Sequence, residues 1–216
     1  MDKNLNNIFV ISSPSGGGKS SLIEALLLDE RAEKIKLSVS FTTREIRSSE
    51  KNQKDYIFIK EDEFTKKIND GDFIEYAKVF GNLYGTPLKA ARESRSQGKS
   101  VVFDVDWQGG KQIRSSSLSK FVISIFILPP SIKELHERLM NRAQDSSETV
   151  KDRMKKSIDE IMHWKEYDYV IVNNDFEQTL NEVKSIITSE KLRRVRNSQL
   201  EEFIETLTNE FEELKS

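Results

Sequence analysis

Apolar positions along the chain alternate between two rhythms. Short unbroken runs such as IFVI, Ile8 to Ile11, VVFDV from Val101, FVISIFIL from Phe121 and YDYVIV from Tyr167 read as buried strands. Between them lie segments with helical spacing: SLIEALLLDE after the first run, a stretch from Pro87 to about Gln97, one near Trp107 to Arg114, and one after Pro129-Pro130 that opens on Ser131 with Glu134 as a capping box. Apolar strands that alternate with helices predict a parallel sheet covered on both faces.

That rhythm is broken between about residues 38 and 86. KLSVSF, Lys36 to Phe41, reads as one strand and is followed by the polar, basic TTREIRSSEKNQK. DYIFI, a short helical EDEFTKKIND, and DFIEYAKVFGNLYG with two strands around Gly81-Asn82 complete a strand-rich insertion. Later, RLMNRAQDSSETVKDRM, Arg138 to Met154, separates two helical stretches with polar residues, as a lid would. The tail carries Leu200, Phe203, Ile204, Leu207, Phe211 and Leu214 at helical spacing. Such a face either docks on the parent domain, the favoured reading, or pairs with another subunit.

Composition narrows this picture. A chain of 216 residues suits one domain with an insertion, and four prolines and nine glycines do not suit disorder. Charged residues make up 32% yet nearly cancel, to −2, so a wholesale nucleic-acid or acidic-membrane binder is not expected and any basic site must be local. No cysteine is present, which excludes disulfides and cysteine-ligated metal. No apolar run is long enough to span a bilayer or to form a signal segment, so the default location is the cytoplasm.

The chemistry starts at SSPSGGGKSS, residues 12 to 21, between the first strand and the first helix. Glycines let a backbone approach phosphate closely, successive N–H groups point inward, and a helix N-terminus adds positive potential. Gly18, Lys19 and Ser20 close the pattern G-x-x-x-x-G-K-[ST], but Ser13 stands where its opening glycine belongs, a residue less tolerant of positive φ. The second clue is SVSFTTREIR, in which Arg44 and Arg47 could clamp one phosphate with two guanidinium forks.

Taken together, SSPSGGGKSS, SVSFTTREIR, KDYIFI, DFIEYAKVFGNLYGTP, VVFDVDWQGG, RLMNRA and VIVNND resemble the guanylate kinase family from about residue 6 to residue 190. Phe41 and Ser49 depart from the family's usual serine and glycine, whereas the loop variant with Ser13 is similar to some bacterial members. The resemblance implies a P-loop α/β fold with a parallel central sheet. Its core would be about 6–37, 87–137 and 155–190, with a strand-rich GMP-binding insertion at about 38–86, a helical lid at about 138–154, and a helical extension over 191–216. It implies transfer of the ATP γ-phosphoryl group to GMP, giving ADP and GDP, with Mg²⁺ as cofactor. Ser13, Pro14, Ser15, Gly16, Gly17, Gly18, Lys19, Ser20 and Ser21 would bind ATP, with Arg138 and Arg142 from the lid and Asn174 near the adenine. Ser40, Glu75 and Thr86 would face the guanine edge, while Arg44, Arg47, Tyr56 and Tyr84 would hold the GMP phosphate. Asp104 and Asp106 would lie between GMP and the metal, which Ser20 holds directly and Asp104 through water, and Lys19, Arg44, Arg142, Arg153 and Asp104 would be catalytic.

These residue types suit phosphoryl transfer. The transition state is loose, so catalysis is mainly alignment and charge stabilisation. A phosphate monoester with a second pKa of about 6 is already an anion and needs no general base. Bringing it to a second polyanion costs roughly 4 kcal/mol per pair of unit charges 4 Å apart at an effective dielectric near 20, so cations must surround the transfer point. Guanine presents N1–H and N2–H₂ as a donor pair that one carboxylate can accept, and adenine does not. Two other readings are a scaffold of the same fold without catalysis, which would be expected to lose phosphate-loop residues, and a related kinase with another phosphorylated acceptor. Oligomeric state stays open between monomer and homo-oligomer, with the C-terminal helix as a possible contact.

Overall fold

The structure is a computed structural model that describes residues 7–29, 35–48, 50–79, 81–140, 147–196 and 199–215. Five strands form an all-parallel sheet: β1 (Ile8–Ser12), β2 (Ile35–Leu37), β7 (Ser100–Asp104), β8 (Val122–Leu128) and β9 (Tyr169–Val172), in the order β2-β7-β1-β8-β9. β1 lies between β7 and β8, with Ile11 opposite both Asp104 and Ile125, so its C-terminal end opens at the middle of the sheet. In open α/β sheets this is where ligands bind.

The central strands β1, β7 and β8 are apolar on both faces because both are covered. Phe9 and Ile11 pack with Val102, Ile125 and Ile171 against α1 (Lys19–Leu28) and α7 (Phe176–Leu192). Ile8 and Val10 point the other way, into a second cluster with Phe103, Ala91 of α3 (Leu88–Ser96) and Ile113 of α4 (Trp107–Arg114). The result is helix, sheet, helix, the three layers expected of continuous apolar strands.

A second sheet holds β3 (Phe41–Thr42), β4 (Ile57–Phe58), β5 (Phe73–Val79) and β6 (Asn82–Pro87), in the order β4-β3-β6-β5. α2 (Glu61–Asn69) covers it through Phe64, which stacks on Phe73 at 4.7 Å, while Phe41 meets Phe73 edge-on at 5.7 Å. This sheet is fastened to the core by Gln112 of α4, whose side-chain amide donates to the Tyr76 carbonyl at 2.8 Å and accepts from the Tyr76 N–H at 3.2 Å.

Three expectations are corrected. KLSVSF is not one strand: β2 ends at Leu37 and β3 begins at Phe41 in the other sheet, because this segment carries the chain across from one sheet to the next. The capping box before α5 (Ile132–Met140) is half formed: the Ser131 hydroxyl accepts from the Glu134 N–H at 3.1 Å, but Glu134 turns to Arg138 at 3.0 Å instead of reaching back. The C-terminal helix α8 (Gln199–Leu214) forms, but it does not dock: Phe203, Ile204, Leu207 and Phe211 are all exposed. The chain is anchored just before it, where Arg196 donates to Asn7 at 2.6 Å and pairs with Glu190 at 3.2 Å. Of the segment expected to form a lid, Arg138 to Met140 belong to α5 and Ser147 to Met154 to α6 (Ser147–Ile161); Arg142 lies outside the described residues.

Candidate active site

At the C-terminal end of β1 the chain turns through Ser12–Gly18 into α1. Gly16 and Gly18 have φ of 86° and 91°, the left-handed region that costs a glycine nothing. Ser13 is not among the residues with positive φ, so the loop's irregular first position carries no backbone strain; the positive angles fall three and five residues later. The turn is closed by the Gly17 N–H donating to the Pro14 carbonyl at 2.9 Å. Left-handed glycines just before a helix N-terminus help to turn successive N–H groups into one concavity, the arrangement that binds anions.

Lys19, the first residue of α1, points across to the end of β7. Its ammonium pairs with the Asp104 carboxylate and donates to the Val105 carbonyl at 2.9 Å. Burial alone would lower the Lys19 pKa, but Asp104 outweighs it and the value ends raised, so the lysine is charged. Ser20 brings its hydroxyl to 3.4 Å from the other Asp104 oxygen. A hydroxyl and a carboxylate are hard oxygen donors, and no group of three or more acidic or histidine side chains able to hold a metal is found among the described residues. Such a pair fits Mg²⁺ shared with a bound polyphosphate better than a metal caged by protein alone. Asp106 has another task here: its Oδ1 accepts from the Gly109 N–H at 2.9 Å and caps α4.

The small sheet brings a different cluster to the same side of the molecule. Glu75 is a strand residue, yet it is 4% exposed, because its face of β5, shared with Ala77, packs against Gly109 of α4. The Thr86 hydroxyl donates to Glu75 Oε1 at 2.5 Å. Thr86 lies opposite Glu75 across the strand pair, and Ser40 lies 3.1 Å behind it. With the single Thr86 proton committed to the carboxylate, the Ser40 hydroxyl must be the donor to Thr86. On the far side Glu75 Oε2 lies against Gly109 of α4, where a Cβ would come within 2.6 Å of it. Burial pushes the Glu75 pKa up to about 7, with the Thr86 hydroxyl pulling it down and Asp106 adding to the rise. Lys19 bears on Glu75 electrostatically, as it does on Tyr56, so the ends of the two sheets share one site.

The arginine loop is organised by a residue that sequence reasoning missed. Glu50 pairs with the Arg44 guanidinium at 2.7 Å and accepts from the Arg47 N–H at 2.9 Å. Arg44 lies between the Tyr56 and Phe58 rings, 5.7 Å from each centroid, and Tyr56 meets Tyr84 edge-on at 5.8 Å. Burial would lower the Arg44 pKa, but Glu50 and Tyr84 hold it raised, and Glu50 is in turn lowered, burial being outweighed by Arg44 and the Arg47 N–H. The Arg47 side chain is exposed.

Behind the phosphate loop, Asn173 is buried and its amide donates to the Gly17 carbonyl at 3.3 Å, while Asn174 is exposed. Arg138 reaches over the loop near Gly18, and Arg153 is half-buried on α6. Glu160, further along α6, accepts from the Ser15 N–H at 2.8 Å. Neither Asn173 nor Glu160 stood out in the sequence, because a polar residue flanking a strand or on a helix gives no sign of where it points.

A family model described as guanylate kinase matches residues 5–190. A guanylate kinase of Ruegeria pomeroyi is 47% identical over 207 residues, covering 96% of each chain, and one of Mannheimia succiniciproducens is 51% identical over 187 residues, covering 86% of this chain and 89% of its own. The crystal structure of a guanylate kinase from Anaplasma phagocytophilum superposes with a TM-score of 0.78 at 38% identity, covering 94% of this chain and 95% of that one.

Proposed function

From the premise that this chain belongs to the guanylate kinase family of P-loop enzymes, we propose that it transfers the γ-phosphoryl group of ATP to GMP, giving ADP and GDP. The observation that carries this reading is the pairing of two unlike sites at the ends of the two sheets. One is a glycine-rich anion loop with a charged lysine, and the other is a buried carboxylate with no cation bonded to it among the described residues.

ATP lies with its phosphates along residues 13–21, and Lys19 leaves Asp104 to bridge the β- and γ-phosphates. Ser20, with Asp104 through water, would hold Mg²⁺, which supplies charge neutralisation at the transferring group. GMP enters over the small sheet. Arg44, paired with Glu50 in this structure, and the exposed Arg47 side chain are drawn with Tyr56 and Tyr84 onto its phosphate. Glu75 accepts the guanine N1–H and N2–H₂ pair, and the Ser40–Thr86 hydroxyl chain fixes which way its carboxylate faces. AMP presents an acceptor where guanine has N1–H, and would leave Glu75 buried and unpaired. Such sites discriminate by about 10⁴.

Arg138, Arg142 and Arg153 close over the transferring phosphoryl group, so that residues 138–154 act as the lid, 38–86 as the acceptor-binding unit, and the remainder of 6–190 as the core. The GMP phosphate attacks as the anion it already is; the protein aligns it and excludes water. The setting we infer is the cytoplasm, in the supply of guanine nucleotides. The test is ADP release with GMP, dGMP, AMP and UMP as acceptors. A marked preference for the guanine nucleotides is expected, and equal turnover of AMP would overturn the assignment.

A further inference from the structure

On α6 the residues Arg153, Ser157 and Glu160 are spaced four and three apart and therefore line one face of the helix. That face looks at the phosphate loop. Glu160 accepts from the Ser15 N–H at 2.8 Å, and the fully buried Ser157 places its hydroxyl 3.3 Å from the Ser15 carbonyl while donating more closely, at 2.8 Å, to the Arg153 carbonyl of its own helix. The loop is backed from a second direction, since a Cβ on Gly16 would meet Leu135 and Leu139 of α5 at 3.1–3.2 Å. A carboxylate this near an anion-binding loop repels the phosphates that the loop exists to bind. Burial raises its pKa, as does Asp106, against the pull of the Ser15 N–H and Lys19. A residue so placed needs a compensating role.

We propose that Glu160 is a positioning residue: its carboxylate holds the Ser15 peptide of the phosphate loop against the helix that carries Arg153, so that binding of the ATP phosphates and placement of Arg153 are coupled. Ser15 is the residue just before the glycines, so fixing its peptide fixes where the N–H concavity begins. Seven residues earlier on the same face, Arg153 moves with the same rigid helix. The proposal rests on the ATP site inferred above.

Reach and charge separate cleanly at this position. Glu160→Gln keeps an oxygen at the same distance and loses the charge; Glu160→Asp keeps the charge and is one methylene too short; Glu160→Ala loses both. Binding of ATP alone is measured by titration calorimetry, followed by kcat and the KM of each substrate. Ala and Asp are expected to weaken ATP binding by about tenfold and to lower kcat at saturating ATP, with the KM for GMP unmoved. Gln is expected to recover most of the loss. If Asp behaves as wild type and Gln as Ala, the effect follows charge and the coupling is wrong. Wild-type ATP affinity in all three variants, or a KM for GMP that moves in parallel with ATP affinity, overturns it as well. Failure of the wild-type chain to bind ATP would instead overturn the site reading on which it rests.

Discussion

At the end of the core sheet, Asp104 is paired with the Lys19 ammonium and faces the Ser20 hydroxyl; on the small sheet, Glu75 is more deeply buried and meets Thr86 and the edge of α4. Both are carboxylates of the proposed phosphoryl-transfer site, and the protein treats them in opposite ways. The first is neutralised before any ligand arrives, so the donor side tolerates two fixed charges at little cost. The second has no cation bonded to it among the described residues, and burial holds its pKa at about 7, so on the proposed function its charge is completed only when a ligand brings N–H donors. A paired charge provides a stable anchor for phosphates that every nucleotide shares. An unpaired one provides discrimination, because only the correct base satisfies it.

The largest test of this contrast is Lys19→Met. It removes the proposed anchor for the β- and γ-phosphates and leaves Asp104 without its cation, so kcat/KM is expected to fall by about 10³, while GMP binding measured by calorimetry changes little. Loss of GMP affinity in step with turnover would mean that the two sites do not divide the work as described.

Glu75→Gln acts on the other side. It presents an N–H₂ group where guanine presents donors, and kcat/KM for GMP is expected to fall by about 10² with ATP binding unchanged. The pH profile sharpens the point. Below pH 7 the wild-type carboxyl takes up a proton and becomes a donor, so kcat/KM for GMP falls as pH falls through about 7. The GMP phosphate also titrates, at about pH 6, and that share of the profile survives in the Gln variant while the Glu75 share disappears. Superimposable profiles for the two enzymes would break the assignment of Glu75.

The same substitution has an opposite effect on stability. A carboxyl with a folded pKa near 7, above its ordinary 4.5, costs stability that grows as pH rises between those values and is constant above them. Glu75→Gln is therefore expected to stabilise the fold, by about 2 kcal/mol more at pH 8 than at pH 5, read from thermal unfolding. Lys19→Met runs the other way. The raised Lys19 pKa means that its charged form is favoured by folding, so at pH 8 its loss destabilises. A stabilising Lys19→Met, or a Glu75→Gln gain independent of pH, would contradict the contrast between paired and unpaired carboxylates.

The two regions also differ in how far the sequence discloses them. The donor loop is ten contiguous residues between a strand and a helix, so its residues announce their chemistry locally, and only the absence of strain at Ser13 needed the structure. The proposed acceptor side is assembled from Ser40, the Arg44–Glu50 loop, Tyr56, Glu75, Thr86 and α4; the family resemblance joined Ser40, Arg44, Tyr56, Glu75 and Thr86, and only the structure added Glu50 and α4. One signal was present: in FIEYAKV, Glu75 alternates in step with Ala77 and Val79, so a period of two already places it on their face, although Phe73 falls out of step at the irregularity between Phe73 and Glu75. The split of KLSVSF between two sheets left no such trace, because a chain that crosses from sheet to sheet keeps the same residue types. The tail shows the same limit from the other side. Its helical spacing predicts α8, but spacing says nothing of what covers an apolar face, and here its apolar residues are exposed.

The smallest expected effect comes from the residue that joins the two regions. The motif VVFDVDWQGG carries Asp104 at the donor side and, five residues on, Gly109 against Glu75, so one turn of chain serves both carboxylates. Gly109 is helical, and alanine there would favour the helix by about 0.8–1 kcal/mol. Its Cβ would also come within 2.6 Å of Glu75 Oε2 and 3.1 Å of Val105 Cβ, and the carboxylate would have to turn from its bond with Thr86. The two effects offset each other in the fold and not in the site. Gly109→Ala is expected to melt near the wild-type temperature, to keep its affinity for ATP, and to lose about tenfold in kcat/KM for GMP, with discrimination against AMP reduced in proportion. A variant that instead loses ATP affinity would show that this turn holds Asp104 more tightly than Glu75, and that the two carboxylates are less independent than their surroundings make them.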